Sequence, residues 1–351
     1  MSSTFTSTNE EPCSSCGLLL DVEGASLLAL VKCPRCRSEV RVRSRFGSYE
    51  LLDVLGEGGS SRVFRARPDQ QRDPDSTSSE VALKVLEITQ PDYIENLFFL
   101  RNEAKHAALI RHPRVVKVMA LEEEEGGACL AMEIMTGGSL HDQIVSGSSL
   151  DEQWILESGL EILKALSAAY AKKVIHRDLK PANILFSGSG GAKLADFGLA
   201  RSLAAVEEGE SESAIEHHLM ATPDYVAPEL LEGEVGDCRS DLYGLGGCLY
   251  HAITCEPPYR TEEKSLEELR ELKRRPIQLS FKKWNLLPET SSLVNRMLAP
   301  DPRDRFASYD ELEKAFRQAL DRLESLRKNP SQCNGGVSGW LSGIFHRVGK
   351  S

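Results

Sequence analysis

The chain has 351 residues, long enough for two or three domains, and its 41% hydrophobic content is that of an ordinary globular protein. Its 42 Lys and Arg against 53 Asp and Glu leave a net charge of -11, which excludes general affinity for nucleic acid or anionic lipid. No uninterrupted apolar run approaches the ~20 residues a membrane helix needs, and the polar start MSSTFTSTNEEP is no secretory signal, so residues 1–12 read as a disordered N-terminus and the chain as cytoplasmic.

Four of the nine cysteines form two tight pairs, Cys13-x-x-Cys16 and, sixteen residues on, Cys33-x-x-Cys36. Each pair can chelate from a turn, with Gly17 and Pro34 suited to the turns, and four thiolates at this spacing make a tetrahedral structural zinc site. Short strands are expected over 18–22 and 27–31, with Val40 and Val42 alternating with arginines, so residues 13–45 read as a four-cysteine zinc ribbon. So small a module has too little core to fold alone, and metal supplies the missing stability. A redox-active or vestigial pair of turns is the alternative. Lys32, Arg35, Arg37, Arg41, Arg43 and Arg45 make the ribbon basic; they are read first as a solvated strand face and second as a docking face for a protein or a phosphate-bearing ligand. Cys129, Cys238, Cys248, Cys255 and Cys333 are scattered, which fits buried or unpaired thiols in a reducing compartment.

From Phe46 two apolar strands flank the stretch Leu55, Gly56, Glu57, Gly58, Gly59, Ser60, Ser61, Arg62 and Val63. Its glycines let backbone amides approach phosphates, and Val63 is placed to cover a flat base. Alone, such a cluster is equally an ordinary hairpin turn. Residues 68–80 are a polar loop, and the strand that follows puts Val81, Leu83 and Val85 on one face with Ala82 and Lys84 on the other. Residues 91–111 are helical in pattern, with Leu100, Glu103, Ala107 and Ile110 on one face. A carboxylate in that apolar stripe needs a partner, and Lys84 is the candidate. His112 and Pro113 end the helix. Strands over 115–121 and 128–132, joined by the acidic turn EEEEGG, lead through Met132, Glu133 and Met135 into GGSL.

A buried helix is expected over 150–173, and its end delivers HRDLKPAN, residues 176–183. Phosphoryl transfer needs a carboxylate beside the attacking hydroxyl, a cation near the moving phosphate and a polar ligand for magnesium, and Asp178, Lys180 and Asn183 supply them from one loop. Ile184, Leu185 and Phe186 continue as strand, SGSGG turns, and Lys193 and Leu194 lead to Asp196-Phe197-Gly198. After a polar segment with Ser202, Ser211 and Ser213 comes ATPDYVAPE; Glu229 needs a buried cation, for which Arg305 is the candidate through two hydrogen bonds. Asp241 opens an apolar helix, further helices are expected near 265–274, 290–298 and 308–326, and residues 327–351 read as a flexible tail carrying Trp340, Leu341, Ile344, Phe345 and Val348 on one helical face.

Taken in order, GEGG, VALK, HRDLKPAN, DFG, APE, Asp241 and Arg305 resemble the eukaryotic-type protein kinase family over residues 49–326, in its serine/threonine branch and with a bacterial flavour. The resemblance implies an α+β, bilobal fold over residues 46–326, with a small mainly β N-lobe (46–135) and a larger helical C-lobe (136–326) after the ribbon. It implies ATP and magnesium as cofactors, protein substrates, Asp178 as catalytic base with Lys180, and Asn183 and Asp196 as magnesium ligands. Lys84 with Glu103 would position ATP, backbone groups of Glu133 and Met135 would meet adenine, and Met132, Ala82 and Leu185 would line its site. Phe197 would pack beneath the helix bearing Glu103, Thr222 would contact the catalytic loop, and Asp241 would accept that loop's amides. Arg177 would await a phosphate on Ser202, Ser211 or Ser213, with Glu207, Glu208, Glu210 and Glu212 as substitutes. Two departures stand out: Ser61 replaces the third glycine of the loop, and Ala107 is smaller than the family's usual residue, which would loosen the Glu103 helix. The pattern fixes neither the substrate nor the oligomeric state.

Overall fold

The computed structural model describes residues 10–22, 24–57, 61–69, 80–90, 92–147, 150–202, 223–260 and 264–328. Contacts divide the chain into two compact units, residues 1–104 with 117–134 and residues 105–116 with 135–351.

The first unit is mainly β. Strand β1 (Glu10–Pro12) pairs antiparallel with β2 (Leu19–Asp21), and β3 (Leu30–Lys32) with β4 (Glu39–Arg41). Each hairpin holds one Cys-x-x-Cys turn, closed by the amides of Gly17 on Cys13 O (2.8 Å) and of Arg37 on Cys33 O (2.9 Å). Both closing residues are left-handed, Gly17 at φ 70° without cost and Arg37 at φ 65° against its Cβ. Residues 10–12 are therefore ordered strand, not part of a disordered terminus: they complete the first hairpin, and the Glu11 carboxylate accepts the Arg43 amide at 2.8 Å. Residues 1–9 lie outside the described residues.

Six antiparallel strands follow: β5 (Arg45–Phe46), β6 (Tyr49–Glu57), β7 (Arg62–Pro68), β8 (Val81–Glu87), β9 (Val118–Glu124) and β10 (Gly127–Met132), in the order β5-β6-β7-β8-β10-β9. The alternation in β8 works as expected, with Val81, Leu83 and Val85 in a core shared by Phe46, Tyr49, Leu51, Phe64, Ala66, Cys129 and Ala131. Leu27, expected in a strand, lies instead in this core at 4% exposure, and Leu28 packs beside it. Burying a leucine this way is worth about 1.5–3 kcal/mol, so the segment between the cysteine pairs is a plug in the sheet's core. The acidic run is mostly strand rather than turn: Glu122 and Glu124 accept the amides of Ser48 (2.8 Å) and Gly47 (3.0 Å). Gly127, at φ 139°, has no room for a side chain, since a Cβ would lie 2.1 Å from Leu86 O.

Helix α1 (Tyr93–Leu109) stops short of His112, and Leu100, Glu103, Ala107 and Ile110 are all buried. In the second unit come α2 (Leu140–Val145) and α3 (Glu152–Ala171), then β11 (Val174–Ile175), β12 (Ile184–Phe186), β13 (Ala192–Leu194) and β14 (Arg201–Ser202), then α4 (Pro228–Leu231), α5 (Cys238–Thr254), α6 (Leu266–Lys273), α7 (Phe281–Trp284), α8 (Pro288–Met297) and α9 (Tyr309–Lys328). Helix α3 is buried around much of its girth. Gly159 lets it close on its neighbours, since a Cβ there would meet the Phe316 ring at 2.9 Å and Leu249 at 3.1 Å. No helix among the described residues is long and apolar enough to cross a membrane.

Candidate active site and metal centre

In the second unit, β11 pairs with β14 and β12 with β13, and the loop between β11 and β12 carries Asp178, Lys180 and Asn183. That loop hangs from one carboxylate. Asp241, in the first turn of α5, accepts the amides of His176 (3.0 Å) and Arg177 (2.9 Å) and the Tyr309 hydroxyl (3.3 Å). Burial pushes the Asp241 carboxyl up from its ordinary range, while His176 and the two amides hold it down. These bonds fix Arg177 at φ 68°, a conformation a non-glycine residue adopts only when its surroundings impose it.

The side chains then converge. Lys180 Nζ is 2.8 Å from Asp178 Oδ2, and Asn183 Nδ2 donates to the same Oδ2 (3.1 Å) and to the Asp178 carbonyl (2.8 Å). Asn183 O accepts the Ala195 amide at 2.9 Å, and His176 Nε2 lies 3.0 Å from Ala195 O, so the next segment is tied to the loop. Phe197 is buried and meets the His176 ring edge-on at 4.7 Å. Between them Asp196 is left-handed at φ 63°, its Oδ1 accepting the Gly198 amide at 3.3 Å. Leu185 lies in β12, bridged to Ser139.

The Glu229 carboxylate receives both arms of Arg305, at 2.7 and 2.9 Å, with the Ser240 hydroxyl at 2.7 Å. Arg305 also donates to the carbonyls of Ala299, Arg239 and Pro300 and lies over the Tyr243 ring at 4.7 Å. The same ring also neighbours Lys273, which the sequence does not single out. Lys273 is fully buried, donating to the carbonyls of Asp224 (3.1 Å) and Val226 (2.7 Å), near the rings of Tyr243 (5.4 Å) and Tyr259 (5.1 Å). Burial drives its ammonium down to about 7, against the pull of Asp224 and Glu229 and with the push of Arg305. In LEELRELK it reads as one more surface charge; the available signal was its place four residues after the buried Leu269.

In the first unit, Lys84 Nζ meets Glu103 Oε2 at 2.8 Å. Gly56 of β6 stands opposite Val63 of β7, and Val63 opposite Lys84 of β8, so one end of the candidate nucleotide loop lies on the strand next to the lysine and the other one strand further out. Leu55 is exposed, Glu57 pairs with Arg62, and Ser61 is half-buried. Ala82 and the buried Met132 face each other across β8 and β10. The Glu133 amide is taken by Lys117 O at 2.9 Å, and Met135 is half-buried in the second unit. Gly58, Gly59 and Ser60 lie outside the described residues, as do Glu207, Glu208, Glu210, Ser211, Glu212, Ser213, Thr222, Cys333 and the tail with Trp340, Leu341, Ile344, Phe345 and Val348.

The four thiols of Cys13, Cys16, Cys33 and Cys36 lie within 4.8 Å of one another, with Cys13 to Cys36 at 3.7 Å and Cys16 to Cys33 at 3.6 Å. Four sulfurs about 2.3 Å from a central zinc are about 3.8 Å apart, so this donor set fits a tetrahedral ion, and the distances are far too long for a disulfide of about 2.05 Å. For Cys13, burial acts to raise the thiol, but the Ser15 amide and the Ser38 hydroxyl bring it to about 6. For Cys16, the Leu18 amide acts to lower it, but burial and the neighbouring sulfurs take it to about 12. Thiolates this close would need a cation between them, so the cluster is compatible with a structural metal site.

The ribbon's basic residues are not a uniformly solvated face. Lys32, Arg35 and Arg37 are exposed, but Arg41 Nη1 donates to Leu52 O (2.9 Å), Arg43 reaches Ala25 O (2.5 Å) and Glu87 (3.4 Å), and Arg45 reaches Asp69 (3.5 Å). The sheet beside them offers carbonyls and carboxylates, and a guanidinium fork satisfies them better than water does.

A family model described as protein kinase domain matches residues 49–317. The serine/threonine-protein kinase PknB of Mycobacterium leprae is 31% identical over 268 residues, covering 75% of this chain and 42% of that one. Its namesake from Mycolicibacterium smegmatis is 32% identical over 268 residues, covering 75% and 41%. A probable serine/threonine-protein kinase of Streptomyces coelicolor is 31% identical over 281 residues, covering 78% and 40%. The chain thus spans about two fifths of the length of these relatives.

Proposed function

The chain belongs to the protein kinase family, and from that premise we propose that it is a serine/threonine kinase that transfers the terminal phosphoryl group of ATP to hydroxyls of protein substrates, with magnesium as cofactor and a structural zinc in the four-cysteine site. The observation that carries the reading is the convergence of Lys180 and Asn183 on the Asp178 carboxylate, in a loop hung from Asp241. Catalysis by such a group is positioning and charge neutralisation rather than covalent chemistry.

Asp178 orients the substrate hydroxyl and takes its proton as the new oxygen–phosphorus bond forms; the bond from the terminal phosphorus to ADP breaks, and the charge leaves on ADP. Lys180, beside Asp178, meets the moving phosphoryl group. Magnesium, when bound, neutralises charge on the phosphates, and Asn183 and Asp196 are the residues that would hold it. Lys84, kept in place by Glu103, holds the phosphates, and backbone groups of Glu133 and Met135 take the adenine edge. Leu55, Val63, Ala82, Met132 and Leu185 supply the apolar surface for the base. Phosphorylation of Ser202, Ser211 or Ser213, read by Arg177, is the proposed control.

The test is Asp178→Asn in the full chain, supplied with labelled ATP, magnesium and a generic basic protein substrate. Transfer should fall by about a thousandfold or more while a fluorescent ATP analogue binds nearly as before. A variant that transfers phosphate at the parent rate would remove Asp178 as the base, and a parent protein that neither binds nucleotide nor transfers phosphate would remove the kinase reading.

A further inference from the structure

The cysteine module is stitched to the sheet that carries the nucleotide-holding residues at three points. Leu27 is sunk in the sheet's core. Arg41 Nη1 bonds the Leu52 carbonyl of β6, the strand that runs into the glycine loop. The third stitch is a three-residue clamp. Arg43 sits directly after the second hairpin, its amide held by Glu11 and its Nη1 by Ala25 O, so both halves of the ribbon fix its position. Its Nη2 reaches Glu87 Oε2 at 3.4 Å, while Glu87 Oε1 takes Arg62.

Glu87 ends β8, three residues after Lys84, and Arg62 opens β7, one residue before Val63. In the antiparallel register Val63 stands opposite Lys84 and Arg62 opposite Val85, two residues short of Glu87, so the Glu87–Arg62 pair reaches diagonally across the same two strands. The Glu87 side chain is only 12% exposed and Arg62 19%, so the pair is poorly screened by solvent. A strand pair whose far end is held this way keeps Val63 and Lys84 at a fixed offset.

We propose that Glu87 is a positioning residue for nucleotide binding, through which the metal-bound cysteine module braces β7 and β8. The proposal rests on the reading of the cysteines as a metal site and of Lys84 as a phosphate-holding residue. A chelated ribbon holds Arg43 rigidly. Without metal the two hairpins lose their cross-link, Arg43 gains freedom, and the Glu87–Arg62 pair loses the cation that completes it. The ordering cost then falls on ATP binding rather than on the phosphoryl-transfer step.

The experiment is a double-mutant cycle on the full chain: parent, Cys36→Ser, Glu87→Gln and the double variant, each with bound zinc measured by atomic emission, the Kd for a fluorescent ATP analogue with magnesium, and kcat and KM for ATP. Glu87→Gln should keep its zinc, Cys36→Ser should lose it, and each should weaken nucleotide binding about 3- to 10-fold with kcat within twofold. The double variant should be no weaker than the worse single one, because both changes open the same clamp. Additive losses, or a Glu87→Gln protein that binds nucleotide like the parent, would overturn the proposal. Should Glu87→Gln fail to fold, Arg43→Lys, which keeps the cation but loses the fork, must show the same zinc-retaining rise in Kd or the proposal falls. A parent chain that binds ATP but holds no zinc would instead sink the metal reading, and one that holds zinc but binds no ATP the kinase reading.

Discussion

Glu103 and Glu229 are each nearly sealed from solvent, at 4% and 6% exposure, and each is matched by a cation, yet the two pairs are built for opposite ends. Lys84 reaches Glu103 from a side chain still 21% exposed, with a rotatable ammonium at 2.8 Å. Arg305 is wholly buried, its planar fork on both oxygens of Glu229 and its remaining donors on three backbone carbonyls. A point charge on a flexible stem, with water at hand, can leave its partner cheaply; a fork locked by carbonyls cannot. The first arrangement suits a group that must meet a ligand, and the second suits an anchor that must never move.

The comparison breaks first at Glu229. Glu229→Gln keeps the shape but leaves the Arg305 guanidinium buried without a counter-charge, and removing one partner of a buried pair costs about 3–5 kcal/mol. For a domain of this size that is a fall of roughly 10 °C in the thermal midpoint. A midpoint within two or three degrees of the parent would mean that the three carbonyls alone satisfy Arg305.

A second, smaller effect sharpens the same region. Among the described residues, Lys273 is hydrogen-bonded only to the carbonyls of Asp224 and Val226 and faces the rings of Tyr243 and Tyr259, with the Asp224 and Glu229 carboxylates and the Arg305 guanidinium acting through charge alone. Its ammonium is down to about 7 when folded, against an ordinary 10.5, so between those values the unfolded chain binds more protons and stability rises with pH. The urea-unfolding free energy of the parent minus that of Lys273→Met should therefore grow between pH 7 and pH 9, by at most about 1.4 kcal/mol per pH unit. Taking the difference cancels the tyrosines, whose raised values act in the opposite sense above pH 10. A flat difference would show that the carbonyls and rings keep Lys273 charged in the core.

What could be read in the sequence divides along the same line. The paired cysteines, the HRDLKPAN loop, Asp241 and Arg305 announce themselves because their chemistry demands particular residue types at short or ordered spacings. Lys273 and Glu87 do not, because their roles arise from what distant segments bring to them: Val226 is 47 residues from Lys273, and Arg43 reaches Glu87 from another module. The arginines of the ribbon pattern as a solvated face for the same reason, since an alternating strand says which side chains point together and not what covers them. The Glu10–Pro12 strand is not legible because EEP has no strand propensity; pairing with β2 and the Glu11 bond from the Arg43 amide hold it.

The smallest expected effect on stability is the most telling. Glu103→Gln is the same substitution as Glu229→Gln, at a site of the same burial, and on burial alone it should cost as much. Its amide oxygen can still accept from Lys84, and a lysine with a fifth of its side chain exposed can recover hydration that Arg305 cannot. The unfolding free energy should therefore drop by less than about 1 kcal/mol. Phosphoryl transfer should nevertheless fall about 10- to 100-fold, since a neutral partner holds the ammonium less firmly against the phosphates. Stability and activity measured on this one variant then separate the two kinds of pair. An unfolding cost equal to that of Glu229→Gln would make Lys84–Glu103 a second anchor, and unchanged transfer would remove Glu103 from the positioning of ATP.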